Sequence, residues 1–357
     1  MPLERASPST HEPFQTLVYG TAVALMLGWI VHVGRDIFVP IMFSVLVLYV
    51  ILGLARLLGR VPVVGRALPD VVVSLLSVLV IGVFLVLVVF TVMANRDSVI
   101  AQAPRYQESL LAAVQRVAVW LGLEAEPTWT TLRRDLFAQL NLQRVVGSTI
   151  SSVSSIFASL MVVALYTCFL LVERGHLDAK ITAIARSPER AERIRRVIAD
   201  INARLGAYLA LKTFLSLLIG ALSWGVMRWF GFEFAGFWAL LIALLNYVPY
   251  IGSFLSILLP GLMAIAQFGN AAEPIELMLG LAAIQFVIGN FLDPYVMGNS
   301  LNLSPFSILL SLAVWVALWG VAGAFLAVPI TAMMMIVFAQ FEGTRAIAVL
   351  LSRNGKT

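Results

Sequence analysis

The chain has 357 residues, of which 61% are hydrophobic and 12% charged, with a net charge of +5 and a mean hydropathy of +0.95. A soluble domain carries about 25% charged residues, so this composition excludes a chain wetted on all sides. The positive charges sit beside apolar runs, which points to membrane topology rather than to nucleic-acid binding.

Runs of about 20 apolar residues cross the hydrocarbon layer as helices, because an open sheet would leave backbone groups unpaired in lipid. A barrel would need strands of about ten alternating residues, and runs such as 71–94 do not alternate. The expected fold is therefore all-α and polytopic, with six to eight transmembrane helices. Residues 1–94 hold three spans, at about 15–33, 37–55 and 71–94. No small-residue cleavage site follows the first run, so it is expected to stay as a span. Residues 95–147 mix charge with an apolar stripe of Leu110, Val114, Val117 and Leu121, the pattern of an amphipathic helical segment. A fourth span at 148–172 begins with a serine-rich stretch that suits close helix packing. Residues 173–205 form a basic segment. Within it Ser187-Pro188-Glu189 marks a helix start, with a capping serine, a proline at the first position and an acid near the positive dipole end. Its arginines read as a solvated face or as a site for anionic lipid heads.

The C-terminal core spans 206–340, followed by a tail at 341–357. After a fifth span at 206–230 come two overlong apolar segments, 234–268 and 306–340, separated by an ordinary span at 275–292. The first is interrupted by Pro249, Gly252 and Pro260, the second by Gly320, Gly323 and Pro329. Each reads as a broken segment or re-entrant hairpin, and a faint repeat links Gly252-Ser-Phe-Leu with Gly323-Ala-Phe-Leu. Paired interrupted segments point to a transport site. Lysine and arginine concentrate in 56–70, 173–205 and the tail, which puts both termini in the cytoplasm and 95–147 outside.

Four stretches together resemble one known family: 208–216 (YLALKTFLS), 246–260 (NYVPYIGSFLSILLP), 289–305 (GNFLDPYVMGNSLNLSP) and 319–331 (WGVAGAFLAVPIT). In this order and spacing they are similar to the autoinducer-2 exporter family, the PerM-like permeases. The resemblance implies a bacterial inner-membrane permease, homo-oligomeric. It would export an autoinducer-2-like small polar solute in quorum sensing, or work as an antiporter exchanging sodium or lithium for protons. Many members carry a lysine just after the last proline motif, where this chain has Met333, Met334 and Met335.

The candidate pathway residues follow from what is costly or unusual inside lipid. Charged side chains there cost about 2.5–3.5 kcal/mol on insertion scales. Lys212 either snorkels to the inner surface or partners Asp293. Asp293-Pro294 is either a carboxylate for a proton or cation, or a helix stop. Asn246 and Tyr247 precede Pro249, which frees a backbone carbonyl, and Ser253 adds a hydroxyl beside Gly252. Gln285 and Asn290 lie on the neighbouring span. Tyr250, Trp315 and Trp319 serve as aromatic walls or as interfacial anchors, and His32 reads as interfacial. Cys168 is the one cysteine, and neither a metal site nor a cofactor is expected. Gly355-Lys356-Thr357 lacks the rest of a phosphate loop, and no serine sits in a nucleophile-elbow pattern. These readings favour a carrier over an enzyme, with a passive oligomeric channel as the alternative.

Overall fold

The computed structural model describes residues 11–60, isolated positions between 72 and 94, and residues 159–269, 272–297 and 301–355. The amphipathic segment expected over 95–147, the serine-rich entry to the fourth span and most of the third lie outside the described residues. The described part is helical, with one isolated bridge between Leu303 and Ser352 and no longer strand. Six of its helices are long and apolar enough to cross a membrane. The expected polytopic all-α fold is therefore observed.

Helices α1 (His11–Val33) and α2 (Arg35–Arg60) are followed by α3 (Ser159–Ile184), which tightens into a 3-10 turn at Arg174–His176. The expected cap is present: Ser187 Oγ accepts from the Arg190 N–H at the start of α4 (Pro188–Trp229). From Pro188 on, the basic segment and the fifth span are continuous. They form one helix of 42 residues, because no proline or glycine cluster separates them. Beyond it lie α5 (Ala235–Leu245), α6 (Ile251–Phe268) and α7 (Ala272–Val287). A π-turn (Ile288–Leu292) leads into α8 (Asp293–Met297), and α9 (Pro305–Phe338) and α10 (Arg345–Leu351) complete the order.

Both overlong segments double back. In the first, α5 and α6 are joined at residues 246–250. The Ile251 N–H donates to Pro249 O at 2.6 Å, closing a γ-turn about Tyr250, whose φ is +60°. This kind of turn is rare and strained. The base of the hairpin is clamped by Gln267, which accepts from the Glu233 N–H (2.8 Å) and donates to Gly231 O (3.0 Å). In the second, the reversal is at Gly320 (φ +60°, ψ −135°), within α9. Ser311 and Thr331 hydroxyls meet at 2.6 Å and Ser311 also donates to Ala327 O. An unbroken helix would hold residues 311 and 331 about 30 Å apart. Trp315 Nε1 donates to Thr331 Oγ1 across the same gap.

Of the prolines expected to interrupt the two segments, only Pro249 lies at a break. Pro260 and Pro329 sit inside continuous helices, since packed neighbours in a bundle tolerate the lost hydrogen bond. Both are buried. Gly320 carries the second reversal alone, in a region of backbone space that only glycine occupies without strain. Gly320→Ala is expected to cost about 1–3 kcal/mol, seen as a lower thermal midpoint in detergent.

The two glycines of the faint repeat have the same job. A Cβ on Gly252 would lie 1.8 Å from Leu245 O, and one on Gly323 would lie 1.8 Å from Trp315 O. Each lets the returning arm pass directly over the end of the outgoing one. The hairpins start from opposite ends of α4. The base of the first packs with Met227, and the base of the second packs with Leu205. These positions are about 33 Å apart along the helix axis at 1.5 Å per residue, which matches the hydrocarbon thickness.

Candidate functional site

The tip of the first hairpin lands where α4 and α8 present opposite charges. Lys212 on α4 is 8% exposed, and its Nζ is 3.5 Å from Asp293 Oδ2. Lys212 therefore does not snorkel; its charge is held in the bundle and neutralised in place. The Asp293 side chain is 28% exposed, and its Oδ1 is buried without a hydrogen-bond partner.

Asp293 is aimed by the π-turn before it. The Asp293 N–H donates to Ile288 O, five residues back. The extra residue turns everything beyond it by about 100° relative to an uninterrupted α-helix. Pro294 has no N–H with which to continue a regular ladder, so the distortion falls where the ladder would fail anyway. Asp293-Pro294 is thus not a helix stop: the chain stays helical to Met297.

The hairpin tip is tied to the face of α4 that carries Lys212. Tyr247 Oη and Thr213 Oγ1 are 2.7 Å apart, and Asn246 Nδ2 donates to Ser216 Oγ at 3.0 Å. Thr213 and Ser216 lie in the 208–216 stretch, one and four residues after Lys212, but nothing in the sequence marked them as partners of the hairpin tip. Tyr247→Phe removes one partly buried hydrogen bond, worth about 1 kcal/mol. The expected result is a small drop in thermal midpoint with the fold intact, which circular dichroism with heating would measure.

The second hairpin meets the first on its flank. Val248 packs with Leu312, Ala324 and Ala327, and the Tyr247 and Phe325 rings are 6.5 Å apart. Gly320 and Gly323 shape this hairpin rather than facing the charge pair. Pro249 and Gly252 belong to the first tip, and Ser253 opens its returning arm. Of the two amides on the neighbouring span, Gln285 is buried at 8% exposure with Nε2 unpartnered. Asn290 is exposed and donates to Phe286 O of its own helix, so it stands outside the constellation. The tryptophans are internal ties rather than interfacial anchors. Trp315 and Trp319 lie 4.9 Å apart, and Trp319 Nε1 donates to Val31 O. His32 Nδ1 pairs with Leu318 O at 2.9 Å, so the reversal of the second hairpin is fastened to the end of α1.

Among the described residues no group of three or more His, Cys, Asp or Glu side chains could hold a metal. What the arrangement offers is a neutralised charge pair with one free carboxylate oxygen. The reversal of the first hairpin is tied to α4 beside it. Irregular backbone at membrane depth is tolerated where it is buried in protein or lines a cavity.

Comparison with known proteins agrees with this architecture. The AI-2 transport protein TqsA of Escherichia coli K12 is 28% identical over 347 residues, covering 94% of this chain and 97% of that protein. The putative transport protein YhhT of the same organism is 28% identical over 356 residues, covering 98% and 97%. The putative permease PerM of Escherichia coli K12 is 26% identical over 197 residues, covering 55% and 54%. Residues 19–343 match the family described as AI-2E family transporter, and this multi-pass membrane protein belongs to that family.

Proposed function

We propose that this chain is a secondary carrier of the bacterial inner membrane, with both termini cytoplasmic. It moves a small polar solute past the Lys212–Asp293 pair. The single observation that carries this reading is the pair of buried Lys212 and half-buried Asp293 beneath the tip of a hairpin, where α4, α8 and the reversal converge. A charge inside lipid is retained for a reason, and a paired one needs no permanent ligand. Opening the pair offers an anion and a cation at once to a polar cargo. The name of TqsA, an AI-2 transport protein, supports a cargo of that kind here.

A second reading is exchange of sodium or lithium for protons. It is favoured by Asp293 Oδ1, a buried oxygen without a partner. A proton or small cation taken up there would compete with Lys212 for the same carboxylate. The orientation rests on the positive-inside bias of 56–70, 173–205 and the tail. Sealed proteoliposomes with imposed sodium, lithium, proton or labelled autoinducer-2 gradients separate the readings. Saturable solute flux supports the first and cation-driven proton movement the second. Flux that never saturates would instead identify a passive oligomeric pore.

A further inference from the structure

The tail segment is strapped by backbone pairing to the base of the second hairpin. The Arg353 N–H donates to Asn302 O at 2.8 Å, and the Ser304 N–H donates to Leu351 O at 3.0 Å. These two bonds flank Leu303 and Ser352 and make them an isolated antiparallel bridge. Asn302 Nδ2 also donates to Asn354 Oδ1 at 3.0 Å. The paired segment 301–304 leads directly into α9, which Ser304 caps. It also follows α8, whose first residue is Asp293. One strap therefore grips the connection between the carboxylate and the second hairpin.

Leu301 and Leu303 on one side of the strap and Ala348 of α10 on the other are buried. They join Leu205, Tyr208 and Met335 in one apolar cluster. Leu205 precedes Lys212 by seven residues, about 10 Å along α4 toward its basic segment. Tyr208 lies between the two and is near enough to Asp293 to feel its charge. The cluster is thus stacked against the charge pair on the side of the basic segment. Little holds the tail in it. Helix α10 has seven residues, too few for an isolated helix to persist, and Ala348 is its one buried residue. Arg353 and Asn354 are exposed. Segments with few buried contacts and exposed backbone bonds are the first to open.

We infer that segment 345–354 is an inner gate. Docked, it keeps an apolar plug of Leu205, Leu301 and Leu303 shut between the Lys212–Asp293 pair and the cytoplasm, and transport requires it to undock. Undocking withdraws Ala348 from the cluster and frees 301–304 in one step, because the same two backbone bonds hold both sides. The gate rests on the carrier reading and its orientation.

The test uses the full chain with Cys168→Ser, carrying Leu303→Cys together with Ser352→Cys. The two bonds flank this pair rather than join it, and such a pair has Cα atoms about 4.5 Å apart, within the range a disulfide spans. Solute flux in proteoliposomes is expected to stop when the pair is oxidised and to return on reduction. Undiminished flux through bridged protein, or a pair that will not oxidise in folded protein, overturns the gate. A second readout needs no flux. Met335→Cys, within the cluster, is labelled in the same background with an impermeant methanethiosulfonate, in inside-out vesicles that present the cytoplasmic face. Arg353→Pro removes the N–H that Asn302 O accepts. Labelling should then quicken about fivefold, the worth of one hydrogen bond, and an unchanged rate overturns the gate. If the parent shows no saturable flux, the carrier reading fails and the labelling rate alone decides the gate.

Discussion

Asp293→Leu alone is expected to destabilise the protein by about 3 kcal/mol, because it strands the Lys212 charge in the bundle. Lys212→Met alone strands the carboxylate, with a smaller loss because the Asp293 side chain is 28% exposed and its charge is partly screened. The double variant Lys212→Met with Asp293→Leu removes both charges, and apolar replacements of a buried pair are often neutral or stabilising. It should therefore fold as well as the parent while losing transport. Thermal midpoints in detergent and flux in proteoliposomes, taken together, give the pattern. Two unstable single variants and a stable but inactive double variant assign the pair to function. An active double variant would assign it to architecture alone.

Gly252→Val should be still more damaging. The added Cβ would sit 1.8 Å from Leu245 O, and the obstacle is backbone that cannot rotate away. Overpacking a core costs about 1–3 kcal/mol where side chains can yield, and here none is available to yield. The hairpin must open, which also pulls Asn246 and Tyr247 from Ser216 and Thr213. The expected outcome is loss of monodisperse protein on size exclusion. Gly323→Val should fail in the same way against Trp315 O. Gly225→Val, where a Cβ meets nothing within 4 Å, is the matched control and should behave as the parent does. If Gly252→Val were as stable as that control, the two arms would not pass so closely.

The helical class and the two interrupted segments were legible because lipid allows few alternatives, and a 35-residue apolar run is too long for one crossing. The Lys212–Asp293 pair was legible as one of two options, since opposite charges in neighbouring spans are rare enough to seek each other. The position of each reversal was not. Pro249, Pro260 and Pro329 look alike as letters, yet only the first lies at a turn, because a buried helix absorbs a proline that its neighbours support. Gly320 gave no stronger signal than Gly323, although one turns the chain and the other only clears its path. The π-turn was invisible as well: nothing in Ile288–Leu292 distinguishes it from an α-helical turn until Pro294 denies the ladder its next donor. Trp315 and Trp319 were open to reading as interfacial anchors because tryptophan favours headgroups, and their partners Thr331 and Val31 are far away in sequence.

The carrier account requires the two hairpins to move against each other during transport. Val248 at the tip of the first and Leu312 on the arm of the second share one packed cluster. Replacing both with cysteine, in a Cys168→Ser background, allows them to be joined. The decisive measurement is solute flux before oxidation, after it, and after reduction with dithiothreitol. Flux should stop when the bridge forms and return when it is reduced. Undiminished flux through fully bridged protein would contradict the account, because the hairpins would then be fixed walls.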